Sequence, residues 1–179
     1  MRVFRLVLGV SAAAAALGLS GCGGSTRPAP RSASFVLPSS PAVVALAPAL
    51  YMQLASSSSL FAIRASELAA ERAASGSTRL AAQAIIRDQG GVASQLSFAG
   101  RRLELLPTAA LSAEQSAELD RLRESADFDS DYRRAVGGAL NRAYDAHRAF
   151  AQSGSSPTLI PVARMAAPVT RRNLDSLGR

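Results

Sequence analysis

The chain has 179 residues, is 48% hydrophobic but only 5% aromatic, and carries a formal charge of +7 from 20 Lys and Arg against 13 Asp and Glu. All 20 cations are Arg, and 37 residues are Ala, so the apolar fraction consists mostly of small side chains, which favour closely packed helices over a β-sandwich. A single Cys excludes a disulfide framework and a Cys-based zinc site within one chain, and a single His excludes any site that needs two imidazoles.

At the start, Arg2 and Arg5 precede an apolar run from Leu6 to Leu19. That run is too short for a comfortable membrane span, which needs about 20 residues, but it suits the apolar region of a signal peptide. It ends in Leu19, Ser20, Gly21 and Cys22, which resembles the bacterial lipobox. The resemblance implies cleavage of a signal peptide over residues 1–21 and lipidation of Cys22. A free thiol left at Cys22 by cleavage elsewhere would be awkward in an oxidising compartment. Gly23 is not the Asp that favours inner-membrane retention, so the expected location is the outer membrane facing the periplasm. Residues 22–47 then read as a tether, rich in Gly, Ser and Pro.

The folded domain is expected over residues 48–179. Pro48 suits a first helical turn, and small or apolar residues at Met52, Ala55, Ser59, Ala62, Ser66, Ala69 and Ala73 follow helical spacing up to Ser75-Gly76-Ser77. A second helix is predicted behind Ser77 or Thr78, with Ala81, Ile85, Gln89, Val92, Leu96, Ala99 and Leu103 as its stripe and Gly90-Gly91 inside it. Ser112 to Gln115 forms a capping box for a short helix through Leu119, Leu122 and Arg123. A long helix from Asp127–Asp129 to about Gln152 carries Tyr132, Val136, Leu140, Ala143, His147 and Phe150, with acids at its positive end. Pro157 opens the last one, with Leu159, Ile160, Ala163, Ala166, Thr170, Leu174 and Leu177 inward and Pro168 in its interior. The sum is an all-α protein: an up-down four-helix bundle with one extra short helix.

The segments Ser59-Leu60-Phe61, Ser66-Glu67-Leu68-Ala69, Ile85-Ile86-Arg87-Asp88, Phe128-Asp129 with Tyr132, and Gly154 to Ala163 with Pro168 together resemble the DUF4142 family of bacterial envelope proteins. The resemblance implies a ferritin-like bundle. It also implies inward carboxylate and imidazole positions that could hold a metal ion, which in this chain read Ala62, Gln89, Leu140 and Asn173. All four have lost ligand capacity or been weakened to an amide. A residual metal site would need His147 with carboxylates facing the same interior, and Glu67 and Glu71 are the candidates; the alternatives are a part-buried His bonded to a neighbour and a solvated charge ladder with Arg64 and Arg72. Asp88 and Asp129 could form a carboxylate pair, but Asp129 reads better as a helix cap. The serines lack a nucleophile-elbow frame.

The expected function is a non-enzymatic, membrane-tethered lipoprotein of the cell envelope, bound to the membrane through Cys22 and serving as a helical module for an envelope protein partner. No cofactor is expected. One alternative is a ferritin-like metal- or oxidant-handling protein using His147 and carboxylates. The other is an anionic lipid or lipopolysaccharide binder acting through the pairs Arg101-Arg102, Arg133-Arg134 and Arg171-Arg172. No aromatic residues alternate with these arginines as a base-stacking platform requires, so nucleic acid is not an expected partner.

Overall fold

The computed structural model describes residues 45–178. The expected signal segment, the lipobox with Cys22 and most of the tether lie outside the described residues. Five helices make up the domain: α1 (Pro48–Arg72), α2 (Gly76–Arg101), α3 (Ala113–Glu124), α4 (Phe128–Ser153) and α5 (Ile160–Leu177), with no strand among the described residues.

Local signals explain most boundaries. Pro48 starts α1 as expected, and the extended conformation of Ala73 ends it. The cap of α2 is Ser75 rather than Ser77 or Thr78: its hydroxyl accepts the Thr78 N–H, while its own N–H donates to Asp129 Oδ2 at 2.9 Å. A contact from another helix has moved this cap, so Asp129 serves the start of α2 and not its own helix. The capping box of Ser112 and Gln115 is present. In α5 the expected start at Pro157 is displaced. Residues 157–159 form a turn, closed by the Ser156 carbonyl accepting from Ile160 N–H at 3.0 Å, and Pro161 falls in the first helical turn.

Around the bundle the order is α1, α2, α5, α4, each packed on the next. Ser59 of α1 meets Gln89 of α2; Tyr51 and Ser66 of α1 meet His147 and Tyr132 of α4; Gln89 meets Asn173 of α5. These pairings make neighbouring helices antiparallel, so α2 and α4, diagonal to each other, run in the same direction. The connection between them must therefore travel the length of the bundle. Residues 102–112 and α3 do this along α1: Thr108 N–H donates to Ser56 Oγ at 2.9 Å and Gln115 Nε2 to Ser57 Oγ at 2.9 Å. One long crossover of this kind is the connectivity of ferritin-like bundles.

The core has two apolar clusters. One holds Phe61, Ile85, Leu122, Tyr132 and Leu140 near α3; the other holds Tyr51, Met52, Val92, Leu96, Phe150 and Leu159 at the opposite end. Alanines at 55, 62, 65, 69, 139, 143, 163 and 166 are fully buried, and such small side chains let helix axes approach closely. Every member of both clusters lies between residues 46 and 177, so the domain buries its own core. In α5, Asn173 is buried and Leu174 only partly so, which shifts the expected stripe by one residue.

The crossover begins with a tight reversal. Leu105 N–H donates back to the Gly100 carbonyl at 2.9 Å, and Glu104 between them takes a left-handed φ of 57°. A Cβ on Gly100 would lie 2.2 Å from the Leu105 carbonyl oxygen. Gly100→Ala is expected to destabilise the domain by about 1–3 kcal/mol, the usual cost of overpacking. Glu104→Gly is expected to stabilise it by about 0.5–1 kcal/mol, because left-handed strain of about 1–2 kcal/mol is only partly offset by glycine's extra freedom when unfolded. Urea unfolding of both variants checks the opposite signs.

Candidate functional site

The four positions at which the family resemblance places ligands lie inside the bundle. Ala62 and Leu140 are fully buried in the apolar cluster near α3. Gln89 and Asn173 are also buried and bond to each other, with Gln89 Nε2 donating to Asn173 Oδ1 at 2.9 Å. The other ends of both amides are used as well. Ser59 Oγ donates to Gln89 Oε1 at 2.9 Å, and Asn173 Nδ2 donates to Asp88 Oδ2 at 2.9 Å; Gln89 Nε2 also reaches Thr170 Oγ1 at 3.5 Å.

These groups form a polar layer between the two apolar clusters, joining α1, α2 and α5. Asp88 closes the layer at the surface with a side chain 24% exposed, and Arg87 Nε lies 3.4 Å from its free oxygen. Its charge is thus kept next to water while neutral amides occupy the interior, which avoids the cost of a buried charge. Amides exchange no proton at ordinary pH and are weak metal ligands. The arrangement fixes helix register and leaves the interior without an acid, a base or a nucleophile at these four positions.

His147 is fully buried rather than part-buried. Its Nδ1 lies 3.0 Å from Tyr51 Oη, and the Tyr51 ring stacks on Phe150 with centroids 4.2 Å apart. Burial pushes the imidazole pKa down to about 4 and holds the Tyr51 hydroxyl protonated by raising its pKa well above 10. A neutral imidazole accepting from Tyr51 leaves one unpaired group, the Nε2–H; the reverse assignment would leave two. Nε2 has no partner among the described residues. Tyr132, with its hydroxyl 2.8 Å from Ser66 Oγ, is likewise pushed up to about 12 by burial.

Glu67 and Glu71 do not face this interior. Glu67 pairs with Arg64 at 3.0 Å, both about half exposed, and Glu71 is exposed beside a cleft between α1 and α3. Tyr51, which marks the level of His147 on α1, is sixteen residues from Glu67, about 24 Å along a helix axis. The set of His147, Glu67 and Glu71 is therefore not assembled, because the periodicity of α1 turns both carboxylates outward. Among the described residues no group of three or more His, Cys, Asp and Glu could hold a metal ion. Arg72 also departs from the expected charge ladder: its guanidinium donates to the carbonyls of Leu122, Arg123 and Ser125 and covers the Phe128 ring at 5.0 Å. Asp88 and Asp129 are engaged separately, with Asn173 and Ser75, and form no pair.

The model of the domain of unknown function DUF4142 matches residues 37–178. The chain belongs to the DUF4142 family. No curated protein and no solved structure shows significant similarity to it. Among the described residues no helix is long and apolar enough to cross a membrane. Helical spacing alone places Gln89 inside and Asn173 beside the interior stripe. Ser59, Thr170 and Asp88 are their partners only in the folded bundle, although Ser59 and Thr170 stand on the apolar stripes and a hydroxyl there signals a polar layer. The Tyr51–His147 pair, 96 residues apart in the chain, likewise has no local signal.

Two outcomes follow from these networks. Asn173→Leu leaves the Gln89 amide buried without its acceptor and is expected to cost about 1–3 kcal/mol, whereas Gln89→Leu with Asn173→Leu should cost clearly less than the sum of the single changes; chemical denaturation of the four proteins checks this. For His147 the folded state binds a proton less well than the unfolded chain, with pKa about 4 against 6.5. The contribution of His147 to stability is therefore full above pH 6.5, is lost as pH falls from 6.5 to about 4 and changes no further below, a loss of about 3 kcal/mol at about 1.4 kcal/mol per tenfold change in proton affinity. His147→Gln, which keeps an acceptor for Tyr51, is expected to flatten that part of the stability–pH curve.

Proposed function

We propose that this protein is a non-enzymatic, lipid-anchored helical module of the bacterial cell envelope, held at the outer membrane through acylated Cys22 and presenting helix faces to an envelope protein partner. The observation that carries the non-enzymatic part is the Gln89–Asn173 pair. Where the family resemblance places metal ligands, two amides satisfy each other at 2.9 Å and two apolar side chains fill the core. An interior built this way spends its polar groups on its own register. The anchor is supported by Leu19-Ser20-Gly21-Cys22 behind an apolar run with two arginines before it, since two or more acyl chains give stable membrane attachment.

The test has two arms. In cells fed labelled palmitate, the wild-type chain is expected to carry label and to sediment with membranes, and Cys22→Ala to lose both; an unlabelled wild type would remove the anchor. A tag-free chain starting at residue 23, incubated with iron, zinc and manganese and then desalted, is expected to hold no stoichiometric metal by elemental analysis. Stoichiometric metal that survives desalting would overturn the non-enzymatic, metal-free reading.

A further inference from the structure

One end of the bundle gathers the start of α1, the end of α2, the end of α4 and the start of α5, and the described chain begins there at residue 45. Six large hydrophobic side chains are exposed among the described residues, and five of them belong to this end: Leu50, Leu54, Phe98, Leu106 and Met165. Phe98 is 57% and Leu106 78% exposed, while the sixth, Leu80, lies at the other end. Leu50, Leu54, Phe98 and Met165 fall within about 10 Å of the end along their helix axes, and Leu106 follows Leu105, whose N–H bonds to the Gly100 carbonyl near the end of α2. They come from α1, α2, α5 and the loop that follows α2.

The charges of this end differ from those of the rest. It carries Arg101, Arg102, Arg148 and Arg164 against two acids, Glu104 and Asp145, whereas most of the remaining acids cluster at the far end. Each of the six ion pairs among the described residues lies in the middle of the bundle or at the far end. Among the described residues the four arginines here have no carboxylate partner: Arg101 donates to Ser97 Oγ at 3.0 Å, and Arg148 lies over the Tyr144 ring at 5.9 Å. Elsewhere among the described residues eleven arginines face eleven acids, and six of them form ion pairs, as Arg121 does with Glu118 and Arg123 with Asp120.

Exposed apolar side chains with unpaired arginines around them have a common chemical complement. Apolar residues sink about 5–10 Å into the boundary between headgroups and acyl chains. Arginine stems cover apolar surface while their guanidinium forks take lipid phosphates bidentately. We propose that this end of the bundle is a membrane-docking face that seats on an anionic phospholipid surface, with Leu50, Phe98 and Leu106 in the headgroup boundary and Arg101, Arg102, Arg148 and Arg164 on phosphates. It deepens the anchored reading above, because a chain held through Cys22 reaches the bundle at this end. Tethering also raises the effective concentration of the face at the membrane, so modest intrinsic affinity suffices.

The test uses the unlipidated chain from residue 23 and flotation with vesicles of phosphatidylcholine alone or of equal parts phosphatidylcholine and phosphatidylglycerol. The chain is expected to float with the anionic vesicles and to be released as salt rises. Arg101→Gln with Arg102→Gln should weaken binding about fivefold per arginine, and Phe98→Ser with Leu106→Ser should abolish it. Arg121→Gln with Arg123→Gln, the same charge change at the far end, and Leu80→Ser should leave it unaltered. All these residues are exposed, and unchanged helical circular dichroism and Tm establish that each variant folds. Absence of flotation, or equal losses from the two arginine pairs, overturns the proposal. So does lipid-free self-association that Phe98→Ser with Leu106→Ser abolishes, which would make the face an interface between copies. Because this chain lacks Cys22, flotation without palmitate labelling in cells removes the anchor alone, and labelling without flotation removes the docking face alone.

Discussion

A directional chain of hydrogen bonds crosses the middle of an otherwise apolar core, from Ser59 through Gln89 and Asn173 to Asp88. Its members come from α1, α2 and α5, so the chain is complete only when three helices stand at one relative height. Sliding one helix by a turn would leave buried donors and acceptors unpaired, at about 1–3 kcal/mol for each group. Alanine side chains give little shape information to resist such sliding, because one buried methyl resembles the next. The polar layer supplies the specificity that the small residues lack, and the two apolar clusters take their positions above and below it.

The crossover completes that arrangement. With α2 and α4 running in the same direction, the chain must return along the bundle between them, and it does so bonded to Ser56 and Ser57 of α1. Two successive serines of α1 therefore serve a connection far away in sequence, where a lone helix would place them in water. The reversal that starts the crossover depends on Gly100, since any side chain there meets the Leu105 carbonyl. Arg72 closes the other end of the connection by holding three carbonyls at the end of α3. Hydrogen bonds to a charged donor are the stronger kind, and here they satisfy carbonyls that a helix end leaves free.

For function, the bundle divides into an interior that answers its own polar groups and a surface with two unlike ends. The far end is laced with i,i+3 ion pairs and carries most of the acids. The end at which the described chain begins has unpaired arginines and exposed apolar side chains. His147 is buried beside the apolar cluster of that end, bonded to Tyr51, and burial lowers its pKa.

Helix number, the capping box at Ser112 and the apolar stripes of α1, α2 and α4 were all legible in the sequence, because they arise from local periodicity and from backbone groups that neighbouring side chains satisfy. The inward positions of Ala62, Gln89 and Leu140 were legible for the same reason. Periodicity alone did not give the outward direction of Glu67 and Glu71 its consequence, since their distance from His147 depends on how α1 and α4 are stacked. The cap at Ser75, the start of α5 three residues after Pro157 and the pairing of Asn173 with both Gln89 and Asp88 were decided by contacts between helices. So was the gathering of Leu50, Phe98, Leu106 and Met165 at one end. The sequence by itself determined which residues turn inward on each helix, since that follows from 3.6 residues per turn; only the tertiary structure decided which of them meet, because relative height and order of helices are set by partners distant along the chain.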